Sequence, residues 1–193
     1  MKIIIGVTGG FGTGKSTVAK MLKSEMPDSV ILDADKIAKS VMKREEIKER
    51  IKKEFGTNDK KKIAEIVFSN KDKLNKLNRI VHPVVIKEIK NKIRININKA
   101  IILDIPLLFE AGMEKICDVT VAVKCKKSEQ IKRLVKKGFS RHEIIKRINS
   151  QMKTSEKAKK SGYVIDNSGN TQDTKRQLMK IMKIIKIMDM VKT

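Results

Sequence analysis

Aromatic residues are nearly missing from this chain: it has no Trp, one Tyr and five Phe, 3% of the sequence together. That excludes a core built on rings, and it removes the stacking platforms that single-stranded nucleic acids need. Cysteine is almost as scarce. The two present, Cys117 and Cys125, are too few for a disulfide-stapled scaffold and form no metal-ligand spacing with His82 or His142. They read as reduced thiols, one of them buried. Acids are few as well, 22 against 45 Lys and Arg, which leaves a net charge of +23. No apolar run is long enough to span a bilayer. The run Ile3 to Val7 is short and passes straight into glycines, so no signal peptide is expected. The stretch Ile181 to Val191 is interrupted by Lys183, Lys186 and Asp189 and reads as an amphipathic helix. The expected setting is a reducing cytoplasm.

What is present suits one domain, or one domain with an inserted subdomain: 193 residues, 40% hydrophobic. The core must be Ile, Val, Leu and Met. The positive charge has two readings, a polyanion footprint or a lysine-rich surface set by codon bias. A footprint should cluster on one element, whereas the lysines run along the whole chain. The surface reading is therefore preferred, and neither nucleic acid nor a membrane is expected as partner.

Periodicity organises the chain. Lys2 to Val7 reads as a buried strand that ends in the turn Thr8-Gly9-Gly10, and Lys15 to Lys23 reads as a helix. Val30 to Leu32 is a second strand closing on Asp33. Strand, glycine loop, helix and strand form the βαβ signature of a parallel sheet. From 35 to 98 every apolar pattern has helical spacing: Ile47, Ile51 and Phe55; Ile63, Ile66 and Val67; Leu74, Leu77, Ile80 and Val81. Pro83 is expected in the first turn of a further helix carrying Val85, Ile89 and Ile93. Residues 35–98 thus read as a helical insertion in a core of 1–34 and 99–193. Strands return at Ala100 to Asp104, Val119 to Val123 and Tyr163 to Asp166. Ser128 is expected to cap one helix and Gly138 to end it; Ser140 with Glu143 predicts a capping box on the next. A last helix carries Leu178, Ile181, Ile185 and Met188.

The chemistry sits first in Gly9-Gly10-Phe11-Gly12-Thr13-Gly14-Lys15-Ser16, which fits G-x-x-x-x-G-K-[ST] between a strand and a helix. A polyphosphate needs many N–H donors aimed inward with no Cβ in the way. Glycine permits that approach, and the following helix adds its positive end. Lys15 can reach the β and γ phosphates as a point charge, and the Ser16 hydroxyl can ligate Mg2+. Three carboxylates follow. Asp33, at a strand end, can accept or position the proton of an attacking hydroxyl, or it can cap the next helix. Asp35 suits substrate binding or capping. Asp104 ends the third strand after Ile101-Ile102-Leu103 and can hold Mg2+ through water, or it forms a strand-end turn.

Several segments together resemble the dephospho-CoA kinase family. Residues 8–17 are similar to its TGGIGSGKST, with Phe11 where that motif has Ile, and Asp33-Ala34-Asp35 is similar to its DAD. Leu77 to Pro83 resembles LN-x-I-x-HP, Pro106 to Glu110 resembles PLLFE, Arg147 to Gln151 resembles RI-x-x-Q, and Val164 to Gly169 resembles VIDNSG. The phosphate loop alone would mark only a superfamily; the other segments, in order to about residue 170, are far more specific.

The resemblance implies an α/β P-loop NTPase three-layer fold with a five-stranded parallel sheet, a helical CoA-binding insertion and a small lid near 136–155. It implies that ATP phosphorylates the ribose 3′-hydroxyl of dephospho-CoA, with Mg2+. It makes Asp33 the base and Lys15 its catalytic companion. ATP would be held by Gly10, Gly12, Thr13, Gly14, Lys15, Ser16 and Thr17, by Arg147, and by Asn167 at the adenine. The acceptor would be met by Thr8, Asp35, His82, Pro83, Leu107, Leu108, Phe109 and Glu110. Arg133 becomes a candidate phosphate contact.

Three departures stand out. The family commonly has an Arg after the helix of Arg133, where this chain reads Lys136-Lys137-Gly138. Lysine cannot grip phosphate with two prongs, so Lys137 substitutes, or Arg141 or Arg147 carries more of the load. Met26-Pro27-Asp28 replaces a common Gly, and Lys39 stands where Arg is frequent. A nucleoside or nucleotide kinase of the same fold, and a basic P-loop protein acting on nucleic acid, are the rival readings.

Overall fold

A computed structural model describes residues 2–192. Five strands form one sheet: β1 (Ile4–Gly9), β2 (Val30–Asp33), β3 (Ile101–Asp104), β4 (Val119–Lys124) and β5 (Tyr163–Asp166), in the spatial order β2-β3-β1-β4-β5. The parallel pairing places Val7 of β1 opposite Asp104 of β3, and Gly9 opposite Val123 of β4. β1 and β3 are apolar without alternation because the order puts them inside, and every residue of both is buried. β2 and β5 lie at the edges and are only partly covered.

The chain forms two compact units, 1–32 with 95–193, and 33–94. In the sheet unit, α1 (Lys15–Glu25) and α9 (Thr171–Lys192) pack on one face. Val18, Ala19 and Leu22 of α1 and Leu178, Ile181, Met182 and Ile185 of α9 meet Ile3, Ile5 and Val7 in a core without a buried ring. α6 (Lys127–Val135), α7 (Arg141–Asn149) and α8 (Thr154–Lys160) join β4 to β5. α6 is capped by Lys126, not Ser128, which lies inside the first turn. It terminates where Gly138 (φ 87) takes the left-handed conformation, and Phe139 N–H returns to the Leu134 carbonyl. The capping box at α7 is present in both directions: Ser140 Oγ accepts from Glu143 N–H, and Glu143 accepts from Ser140 N–H at 3.1 Å.

The second unit is all helix: α2 (Ala34–Val41), α3 (Glu45–Phe55), α4 (Lys60–Ser69) and α5 (Lys71–Ile95). Asp59 caps α4, and Asn70 accepts from the N–H groups of Asp72 and Lys73 at the start of α5. Pro83 does not start a helix. It lies in the interior of α5, a single helix of 25 residues. The missing N–H forfeits one backbone bond, to the carbonyl of Arg79. The buried stripe Leu77, Val81, Val85, Ile89 and Ile93 continues on both sides of it, while Pro83 itself is exposed. Continuous burial therefore outweighs the proline.

Candidate active site

β1 delivers the chain to Gly9, where a glycine is required: φ is 151°, and a Cβ would sit 2.2 Å from the Val123 carbonyl oxygen. The loop then closes on itself. Thr13 Oγ1 and Lys15 Nζ both donate to the Gly10 carbonyl at 3.0 Å. Thr13 and Lys15 are buried although both are polar. α1 begins at Lys15 with no side-chain cap on Gly14, so its positive end follows the loop directly. Ser16, in the first turn, donates to Asp104 Oδ2 at 2.6 Å. The strand pairing explains that contact, since Asp104 ends the strand beside β1. The sequence offered a strand-end turn former or an acid holding Mg2+ through water; the structure adds that the carboxylate accepts a bond from Ser16.

The loop is braced from below by residues far away in sequence. Asn167 Nδ2 donates to the Thr13 carbonyl at 2.8 Å, and Asn167 Oδ1 accepts from Thr174 Oγ1 at 2.9 Å. Arg133 Nη2 donates to the Asn167 carbonyl at 2.7 Å, and Gln130 Nε2 donates to the Phe11 carbonyl. A Cβ on Gly14 would lie 2.0 Å from Asn167 Nδ2. The brace and the glycine thus require each other.

Compared with known proteins, the chain matches the family model for dephospho-CoA kinase over residues 3–173. The chain belongs to the dephospho-CoA kinase family. It is 41% identical over 183 residues to the dephospho-CoA kinase of Fusobacterium nucleatum, covering 89% of this chain and 92% of that one. Identity to the Bacillus cereus enzyme is 38% over 203 residues, covering 98% of this chain and 100% of that one. Among solved structures, a Thermus thermophilus protein aligns with a TM-score of 0.80 at 33% identity, over 95% of this chain and 97% of that chain. The dephospho-CoA kinase of Campylobacter jejuni aligns at 0.68 and 28% identity, over 96% and 98%. A shikimate kinase at 13% identity and a TM-score of 0.51 shares the fold alone.

Within this family's sheet unit, the residues expected at the acceptor separate by burial. Leu107 and Phe109 are half-buried. Leu108 is a core residue: it is fully buried, and its Cδ2 would stand 3.0 Å from a Cβ on Gly6. Thr8 is also fully buried, and its hydroxyl is spent on the Pro106 carbonyl at 3.1 Å. Asn167 acts as a brace in this structure, its side-chain amide engaged on both sides. Arg133 spends a donor on the same brace. In the helical unit, Asp33 Oδ1 accepts from Lys36 N–H at 2.9 Å and caps α2, while Oδ2 lies 3.9 Å from the exposed Lys36 Nζ. Asp35 and Pro83 are exposed and His82 is half-buried.

Lys157 escaped the sequence reading. Its side chain is fully buried, 2.8 Å from Glu110 Oε1, and its ammonium also donates to the Pro106 carbonyl. Glu110 in turn accepts from Met152 N–H at 3.0 Å, so the segment after β3 is tied to α8. Burial pushes the Lys157 ammonium down from its usual value, and Glu110 works against that. Among 45 Lys and Arg, one buried lysine leaves no periodic signal. Lys157→Ala is expected to cost about 3 kcal/mol in urea unfolding, the low end for breaking a buried pair because Glu110 is partly exposed. A loss under about 0.5 kcal/mol, the scale of surface substitutions, would show the pair to be dispensable. Neither thiol is a nucleophile candidate: both are free and half-buried, and burial pushes the Cys117 thiol up to about 12.

Proposed function

We propose that this chain transfers the γ-phosphoryl group of ATP to the ribose 3′-hydroxyl of dephospho-CoA, giving coenzyme A and ADP, the last step of coenzyme A formation. The observation that carries this reading is the near full-length match to relatives bearing that name, 92% of the Fusobacterium chain among them. The loop from Gly9 to Ser16, with the Ser16 hydroxyl against Asp104, supports the ATP half.

Phosphoryl transfer needs positioning and charge stabilisation more than covalent help. Main-chain N–H groups from Gly10 to Thr17 are assigned to the phosphates, with Lys15 as their point charge. Asp33 is assigned to the acceptor alcohol: Oδ1 caps α2, and Oδ2 remains on the same carboxylate to receive or orient a hydroxyl proton. Asp35, His82 and Pro83 in the helical unit are assigned to acceptor binding, as are Leu107 and Phe109 in the sheet unit. The segment near 136–155, with α7 at its centre, is assigned as a lid that excludes water.

The oxygens of Ser16 and Asp104 fit magnesium, a hard cation. Ser16 would hold it directly and Asp104 through water, and when bound it would neutralise phosphate charge. Among the described residues no group of three or more His, Cys, Asp and Glu could hold a metal, so the remaining ligands would be phosphate and water. Among the same residues no helix is long and apolar enough to cross a membrane. The two free thiols suit a reducing compartment, and we place the reaction in the cytoplasm.

A coupled ADP-release assay with dephospho-CoA, AMP and common nucleosides as separate acceptors tests the reading. Dephospho-CoA should give the highest kcat/KM. A nucleoside or AMP in first place would move the chain to another kinase activity of this fold. Steeply salt-dependent nucleic-acid binding with no acceptor phosphorylated would end the kinase reading.

A further inference from the structure

One cluster joins the side chain of a phosphate-loop residue to the segment assigned as the lid. Phe11, inside the loop, and Phe139, just before α7, meet edge to face with ring centroids 5.2 Å apart and an interplanar angle of 83°. The guanidinium carbon of Arg147, in the last turn of α7, lies 5.2 Å from the Phe11 centroid and 4.9 Å from the Phe139 centroid. The chain has five Phe and no Trp, so two rings at one arginine do not reflect an aromatic-rich surface. Phe11 stands where TGGIGSGKST has Ile, which has no π face to offer a cation.

The Phe11 backbone is anchored by Gln130 through its carbonyl. Phe139 is fixed by the turn at Gly138 and by its N–H to Leu134. The two rings stand at 83° to each other, so the guanidinium cannot lie flat on both; the pair of cation–π contacts instead fixes the position of its charge. The departure noted in the sequence bears on this: where the family commonly has an Arg after α6, this chain has Lys136-Lys137. An Arg147 held beside the loop is one way to return a planar, two-pronged donor to this region.

We propose that Phe11 and Phe139 are positioning residues for nucleotide binding in this chain: they hold the Arg147 guanidinium beside the phosphate loop, where it can meet the polyphosphate of ATP. This rests on the assignment of the loop to ATP. It goes beyond that assignment by making a lid arginine depend on an aromatic residue of the loop itself.

The test is a double-mutant cycle read by calorimetric titration with a non-hydrolysable ATP analogue and no acceptor, alongside ATP KM and kcat with dephospho-CoA. Phe11→Leu keeps an apolar side chain and removes the π face; Phe11→Tyr keeps the face. Phe11→Leu should weaken ATP about five- to tenfold, within the span of a partly desolvated cation–π contact, and raise ATP KM more than it lowers kcat. Phe11→Tyr should stay near wild type. In an Arg147→Met background the Phe11→Leu change should have no further effect. Wild-type affinity in Phe11→Leu, or an equal loss in both backgrounds, overturns the proposal, because a packing role alone would give one of those results. If Phe11→Leu does not fold, Phe139→Leu is put through the same cycle and judged by the same outcomes. A wild-type chain that binds the analogue but phosphorylates no dephospho-CoA overturns the acceptor assignment only, and the acceptor-free titrations then decide this proposal by themselves.

Discussion

Asp33→Asn is expected to lower kcat by about 10²–10⁴-fold, the span for a lost acid–base group, while leaving the fold intact. The design of the substitution separates two roles that share one side chain. Asp33 caps α2 through Oδ1, which accepts from Lys36 N–H at 2.9 Å. Asparagine is as good a cap as aspartate, so the helix keeps its start. What asparagine cannot do is take a proton from an alcohol. If Asp33 only caps, Asp33→Asn turns over normally with an unchanged thermal midpoint. If it also serves the acceptor, turnover collapses with that same unchanged midpoint. Asp33→Ala removes both functions and should in addition cost about 1 kcal/mol of stability, the usual worth of a cap. The measurements are kcat under saturating dephospho-CoA and the melting midpoint of each variant. Near-normal kcat in Asp33→Asn would remove the residue from the chemistry.

The second large effect is expected at Lys15. Its ammonium is buried, 9% exposed, and donates to the Gly10 carbonyl at 3.0 Å. The loop is thus closed on its own lysine by a bond that a phosphate oxygen can replace. Lys15→Met preserves an unbranched side chain and deletes the charge. It is expected to lower kcat/KM for ATP by about 10²–10³-fold or more, the scale for removing one pre-oriented donor to developing negative charge. Lys15→Arg should not restore activity, because a planar fork does not fit where a compact ammonium sits. A Lys15→Met variant with wild-type kcat/KM would show that the loop does not serve the reacting phosphates. A variant that has merely unfolded would instead be exposed by its circular dichroism.

These residues were legible for different reasons. The phosphate loop declares itself in sequence because its chemistry needs glycines and a lysine at fixed neighbouring positions, all delivered by one turn. Asp104 was half legible. Its place at the end of β3 follows from Ile101-Ile102-Leu103, but its bond to Ser16 depends on β3 pairing beside β1, which no local pattern encodes. Pro83 was misjudged because a local rule, that proline starts helices, met a buried stripe running from Leu77 to Ile93; tertiary burial exceeds the loss of one backbone bond. Ser128 failed in a similar way: Lys126 already occupies the cap, and the helix begins one residue before Ser128. Thr8, Leu108 and Asn167 are placed at ligands by motif likeness; their contacts with the Pro106 carbonyl, with the Gly6 position and with the Thr13 carbonyl were not legible, because no local pattern encodes them.

By itself, the order of residues determined the strands, the helical character of 35–98, the phosphate loop and the family. Each of these is written in short-range spacing: two-residue and four-residue periods, glycines where Cβ cannot fit, and motifs whose members are neighbours in the chain. Only the folded chain decided that Asn167, held by Thr174, braces Thr13, that Lys157 is buried on Glu110, and that Arg147 lies against Phe11 and Phe139. The contacts of Asn167 with Thr13 and of Arg147 with Phe11 join residues more than a hundred positions apart, and the buried pair hides one lysine among dozens. They arise because a parallel sheet brings distant strand ends together, and the free energy of such contacts comes from burial that exists only once the sheet has formed.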